Sequence, residues 1–176
     1  GLNPYRDRLC LVQISNGDNV CHLIKIDENS SKPKNLINIL TNKKILKIFH
    51  YARFDVAFLK FTFGINIENI YCTKIASKLA RTFTDKHGYK DICKELLNEN
   101  ILKEKQTSDW GAKKLTLSQK KYAAIDVLFL HKLRLKLNKM LMRENRFDMA
   151  KACFDFIEHR VKLDLSGWSD LDIFKH

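Results

Sequence analysis

Lys44-Ile-Leu-Lys-Ile-Phe-His-Tyr-Ala-Arg-Phe-Asp55 runs from a short apolar stretch into a helical pattern, and that passage decides the fold. Residues 44–49 read as a buried strand and residues 53–63 as a helix that Gly64 ends. A strand feeding straight into a helix is a building unit of α/β architectures. Upstream, Leu9-Cys-Leu-Val-Gln-Ile-Ser15 and Asn19-Val-Cys-His-Leu-Ile-Lys25 are rich in β-formers and are separated by Asn16-Gly17-Asp18, a hairpin signal, so the chain opens with antiparallel strands. Downstream, residues 34–40 have helical spacing after Pro33, and residues 70–72 can form one more strand. Residues 73–80, 89–97, 118–143 and 146–157 read as helices. With strands first and helices later, the expectation is a mixed sheet flanked by helices in a single domain over residues 1–176, undivided by repeats, linkers or low-complexity blocks.

A chain of 176 residues, 45% of them hydrophobic, is long enough to bury a real core. No stretch approaches the roughly 18 consecutive apolar residues of a membrane span, and Gly1-Leu-Asn-Pro-Tyr-Arg lacks the basic-then-apolar pattern of a signal peptide, which predicts a cytoplasmic protein without membrane contact. The five cysteines are widely spaced and sit mostly among apolar residues, so buried, reduced thiols are expected rather than a disulfide framework or a zinc site. Lysine and arginine number 32 against 20 acids, a net charge of +12 spread along the chain. That excess predicts a polyanionic partner, and the lack of a compact basic amphipathic helix favours nucleic acid over a membrane surface.

Two acidic positions stand out against this basic background. Asp55 falls one turn into a helix just beyond the carboxyl end of a strand, where ligands of open α/β sheets gather, and a carboxylate there can reach a hard cation. The bland reading is an acid favoured by the helix dipole. Tyr122 and Asp126 lie four residues apart on one helix face, their Cβ atoms about 6 Å apart, so one water can touch both. They interrupt an otherwise apolar face formed by Ala123, Val127 and Leu130, where an unpaired buried Asp is costly without a metal or hydrogen-bond partners. His50 is a candidate phosphate contact or a hydrogen-bonded structural histidine. Ser108-Asp109 before Trp110 suggests a helix cap, with Gln106 and Trp110 lining the mouth of a site. Lys113, Lys114, Lys120 and Lys121 form the best basic patch, beside Tyr122.

Jointly these segments resemble the ribonuclease D family of 3′-to-5′ exonucleases, the tyrosine-containing branch of the four-carboxylate exonuclease group. Leu9-Cys-Leu-Val-Gln-Ile-Ser15 is similar to the family's second strand and Phe49-His-Tyr-Ala-Arg-Phe-Asp55 to its second motif. Lys105-Gln-Thr-Ser-Asp-Trp110 and Gln119-Lys-Lys-Tyr-Ala-Ala-Ile-Asp-Val127 are similar to the stretch leading through the third. Leu163-Asp-Leu-Ser-Gly-Trp168 and Asp172-Ile-Phe-Lys-His176 resemble the end of short family members. The resemblance implies a ribonuclease H-like mixed sheet flanked by helices. It also implies two divalent cations, Mg2+ or Mn2+, with Asp126 and Asp55 as metal ligands and Tyr122 orienting the attacking water. The substrate would be RNA, degraded from single-stranded 3′ ends to nucleoside monophosphates, with tRNA precursors as one candidate; His50, Gln106, Trp110, Lys120 and Lys121 would contact it. The family's first motif, Asp-x-Glu on the opening strand, is absent from the sequence, so the expected fold lacks its first strand. Two alternatives stay open: a catalytically inactive nucleic-acid-binding remnant of the fold, and a DNA 3′-to-5′ exonuclease.

Overall fold

The computed structural model describes residues 3–27, 31–101 and 108–175. Two strands, β1 (Leu11–Ile14) and β2 (His22–Lys25), form the expected hairpin, antiparallel with Leu11 opposite Lys25. Both are shorter than their β-rich runs, because the turn takes up residues 15–21 and passes through Gly17 at φ 91° and Asn19 at φ 65°. At Gly17 the reason for glycine is also steric: a Cβ there would sit 3.0 Å from the ring of His131. Helix α1 (Lys34–Thr41) follows, then β3 (Lys47–Phe49), α2 (Ala52–Phe63), β4 (Ile70–Cys72) and α3 (Thr73–Ala80). Strands β3 and β4 are parallel, with α2 as the crossover between them, the strand-helix-strand unit that residues 44–63 imply. Gly64 ends α2 in the left-handed conformation at φ 70°.

Four more helices complete the chain: α4 (Tyr89–Leu97), α5 (Leu117–Leu128), α6 (Leu130–Arg143) and α7 (Phe147–Leu163), the last continuing into a π-helical turn over Asp164–Trp168. The continuous helix expected over residues 118–143 is interrupted at Phe129, whose φ −96° and ψ −5° depart from the regular helix values while staying in the right-handed region, and this lets α5 turn from the β1–β2 hairpin toward the core. Helix α7 runs past the expected stop at residue 157, since Ile157 and Val161 continue its buried stripe. Leu133, Leu137 and Leu141 of α6 are fully buried at helical spacing. They place α6 at the centre, packed on α3, α4, α7 and β3. The core joins these leucines to Val56 and Leu59 of α2, Ile67, Ile70 and Cys72 around β4, Ile92 and Cys93 of α4, and Phe154, Ile157 and Val161 of α7.

All five cysteines are free thiols, yet only Cys72 and Cys93 are buried; Cys10 and Cys21 are half-buried and Cys153 is exposed, which corrects the expectation of a mostly buried set. Cys153 lies on the solvent side of amphipathic α7, next to buried Phe154. Among the described residues no helix is long and apolar enough to cross a membrane.

Candidate active site

The carboxyl ends of β3 and β4 lie side by side, and the residues that follow them are tied together. Thr73 Oγ1 donates to the Phe49 carbonyl at 3.1 Å and lies 2.9 Å from His50 Nδ1. A carbonyl can only accept, so the hydroxyl proton goes to Phe49, and His50 donates from Nδ1 to the hydroxyl oxygen. Burial, and secondarily the charge of Lys74, lower the His50 pKa to about 4, so the imidazole is neutral near pH 7. It stands as a structural hydrogen-bonding residue rather than a cation for phosphate. Its ring lies 5.4 Å from that of Tyr89, and the Tyr89 hydroxyl donates to the carbonyl of Ile125 at 2.7 Å. Tyr89 of α4 therefore links the segment after β3 to α5 at the residue before Asp126.

That linkage brings the two sequence motifs to one place. Asp55, in the first turn of α2, has its pKa raised to about 7 by the surrounding protein and then by the charge of Asp126. Asp126, in the last turn of α5, is raised to about 6 by burial. Asp55 keeps an exposed surface although protein is dense around it. An acid at the mouth of a concave site satisfies both, and contact with water moderates the upward push. Among the described residues neither carboxylate has a hydrogen-bond or ion-pair partner. In a chain of net charge +12, two adjacent acids left unpaired form a donor set suited to a hard dication: oxygen ligands, net negative charge and a face open to solvent. Within the described residues no third His, Cys, Asp or Glu joins them.

Tyr122 sits one turn before Asp126 on α5, and burial with the charge of Asp126 raises its hydroxyl pKa, so it stays protonated. Its ring lies 6.0 Å from that of Trp110. The loop bearing Trp110 is fixed by Gln119, whose Nε2 donates to the Asp109 carbonyl at 3.2 Å, and by Lys25 Nζ, which donates to the carbonyls of Ala112 and Lys113. The helix cap expected at Ser108-Asp109 is displaced to Thr116: its hydroxyl accepts from the Gln119 N–H at 3.2 Å, and the Gln119 side chain accepts from the Thr116 N–H at 2.9 Å, a reciprocal capping box. The expected patch lysines, Lys113, Lys114, Lys120 and Lys121, are all exposed. Gln106 lies outside the described residues.

Sequence reasoning missed three neighbours. Tyr89 carries no motif signal, since its role depends on α4 packing beside α5. Tyr51 precedes α2 in the left-handed conformation at φ 67°, uncommon for a bulky residue, and Lys74 Nζ lies 3.6 Å from its ring centroid. The Tyr51-x-x-x-Asp55 spacing, which repeats that of Tyr122 and Asp126, is the only signal that points to Tyr51. Two cavities lie elsewhere, along α7: one of about 320 Å³ is lined by Phe156, Leu163 and Trp168, the other of about 360 Å³ by Asn69, Asp155 and Glu158. Neither is lined by Asp55 or Asp126.

Comparison with known proteins bears on this geometry. The family model described as 3′-5′ exonuclease matches residues 1–142. The structure of Brucella melitensis NrnC bound to pGG has a TM-score of 0.96 and 51% identity, covering 100% of this chain and 85% of that one. Brucella melitensis NrnC with bound Mg2+ gives a TM-score of 0.95 at 50% identity, with 100% and 86% of the two chains covered. Ribonuclease D of Gluconacetobacter diazotrophicus is 32% identical over 148 residues, 84% of this chain and 37% of that protein, so the chain spans well under half the length of this curated relative.

Proposed function

The chain belongs to the 3′-5′ exonuclease family, and from that premise we propose that it hydrolyses RNA from the 3′ end to nucleoside monophosphates, using divalent cations held by Asp55 and Asp126. The observation that carries the reading is that Asp55 and Tyr122 both feel the charge of Asp126, while neither carboxylate has a partner among the described residues. Bound Mg2+ or Mn2+ supplies the positive charge that activates the water and stabilises the leaving oxygen. Asp126 and Asp55 bring that charge to the cleft from two different helices, so their spacing is set by helix packing and not by loop motion. The protonated Tyr122 hydroxyl hydrogen-bonds the attacking water and aims it in line with the phosphorus–O3′ bond. A P–O bond forms from water, the P–O3′ bond breaks, and the shortened strand leaves with a proton on its 3′ oxygen.

Substrate contacts follow from the surroundings. Trp110, close to Tyr122, offers an aromatic face to a terminal base, and Lys74, Lys120 and Lys121 offer charge to the backbone. His50, neutral, contributes through its link to Thr73 and Tyr89. Short oligoribonucleotides of the kind named by pGG are the preferred substrates in this reading, supported by the 51% identity to NrnC; trimming of tRNA precursors, supported by the Ribonuclease D relatives, is the broader alternative.

The test is incubation of the chain with pGG, a longer 5′-labelled RNA and the same sequence as DNA, each with Mn2+ or with EDTA. Metal-dependent release of nucleoside monophosphates, faster from RNA than DNA, supports the reading. Binding without hydrolysis at any metal concentration replaces it with a nucleic-acid-binding module. Faster cleavage of DNA moves the assignment to a DNA exonuclease.

A further inference from the structure

We propose that the π-helical turn after α7 is a clasp that holds the first turn of α2 in place and thereby positions Asp55; this rests on the assignment of Asp55 to the metal site. The first turn of α2 is seated in the core through Ala52 and Val56, but its start has no side-chain cap. Tyr51, at the N-cap position, makes no side-chain capping bond and has a left-handed backbone, and the Asp55 carboxylate has no hydrogen-bond partner of its own among the described residues. With no hydrogen bond to the carboxylate itself among the described residues, the placement of Asp55 depends on where the backbone of residues 52–55 sits.

Arg53, in that same turn, reaches away to the far end of the chain. Its Nε donates to Asp164 Oδ2 at 2.6 Å and its Nη2 to Asp164 Oδ1 at 2.8 Å, a two-pronged pair, while Nη2 also donates to the Ser169 carbonyl at 2.7 Å. The Asp164 side chain is only 12% exposed, so water competes little for it. Arg160 of α7 closes the clasp from the other side: it pairs with Asp164 at 2.9 Å and donates to the carbonyls of Trp168, Ser169 and Leu171 at 2.9, 2.9 and 3.1 Å. Tyr5 adds a bond from its hydroxyl to the Leu165 carbonyl, and its ring packs edge-on against Phe61 of α2 at 4.9 Å. Gly167, at φ 97°, provides the reversal that turns the 168–171 carbonyls back onto the guanidinium groups.

These residues explain Leu163-Asp-Leu-Ser-Gly-Trp168, a stretch with no part in the hydrolytic chemistry. The turn lies beyond residues 1–142, the span the family model matches, and within the span that the NrnC structure covers. Two guanidinium groups converge on one carboxylate and on three carbonyls, those of Trp168, Ser169 and Leu171. The helix they secure is the one that carries Asp55 two residues from Arg53.

Asp164→Asn and the conservative Asp164→Glu separate a positioning role from general stabilisation. Amide hydrogen exchange is followed in EDTA at Val56 and Ala57, whose N–H groups bond to the first turn, with Leu137 in the core as control, and Mn2+ binding is followed by calorimetry. Asp164→Asn is expected to speed exchange at Val56 and Ala57 about tenfold with Leu137 unchanged, and to weaken Mn2+ binding by about tenfold, with partial recovery in Asp164→Glu. Unchanged exchange at Val56 and Ala57 overturns the clasp. Faster exchange with unaltered Mn2+ affinity overturns its positioning of the metal site. An unmodified chain that neither binds Mn2+ nor cleaves RNA overturns the nuclease assignment instead, and the exchange measurement in EDTA still decides whether the clasp holds α2.

Discussion

The unpaired state of Asp55 and Asp126 sets the behaviour of the site at the scale of single residues. Their pKa values, about 7 and about 6, lie above the ordinary carboxylate value, so between pH 4 and pH 7 the folded, metal-free protein binds more protons than the unfolded chain. Its stability from this pair therefore falls as pH rises through that window. His50, lowered to about 4, acts with the opposite sign over pH 4 to 6.5, so the comparison must be between variants. In EDTA, the gain in melting temperature of Asp55→Asn over the parent should grow from pH 5 to pH 8; a pH-independent gain, or none, contradicts the raised carboxyl. Asp126→Asn should lower kcat by about 10²-fold or more while circular dichroism stays native. If the Tyr122 hydroxyl orients water as proposed, Tyr122→Phe should lower kcat by about 10²-fold with little change in KM. A rise in KM alone would return Tyr122 to a binding role.

Helix starts decide how firmly those residues are held, and at the scale of elements the two site helices differ. Helix α5 begins with the Thr116–Gln119 capping box, and α2 begins without a side-chain cap. Thr116→Ala should destabilise the protein by about 1 kcal/mol, read from urea unfolding; no loss would show the box to be redundant with the loop contacts of Gln119 and Lys25. The element types of the chain were legible before the structure: the hairpin at Asn16-Gly17-Asp18, the passage from β3 into α2 and the Gly64 stop all stand where periodicity and turn chemistry put them. The break at Phe129 was not, since Leu117 through Arg143 carries no Pro or Gly; the interruption comes from α5 packing on the hairpin while α6 packs on the core. The cap was misplaced for a related reason: Ser108-Asp109 has suitable chemistry, but the helix starts only at Leu117, where Thr116 and Gln119 have the right spacing.

For the whole molecule, the charge of +12 includes exposed Lys120 and Lys121 and, over the Tyr51 ring, Lys74, which in the proposed reading meet the RNA backbone. Affinity for single-stranded RNA in EDTA should fall steeply with salt, each lysine–phosphate contact adding about 0.7 to the log–log slope, and Lys120→Ala with Lys121→Ala should flatten it. A slope unchanged in the double variant would place the RNA path elsewhere. The sequence by itself determined the residue types and spacing of the site, because a carboxylate after a strand and a Tyr and Asp one helical turn apart are local facts, set by neighbours along the chain. Only the tertiary structure decided that these carboxylates lack partners among the described residues, that Tyr89 and Thr73 join their two segments, and that Arg53 is held by Asp164, 111 residues away. Desolvation and long-range hydrogen bonds depend on which surfaces meet, and no periodicity encodes that.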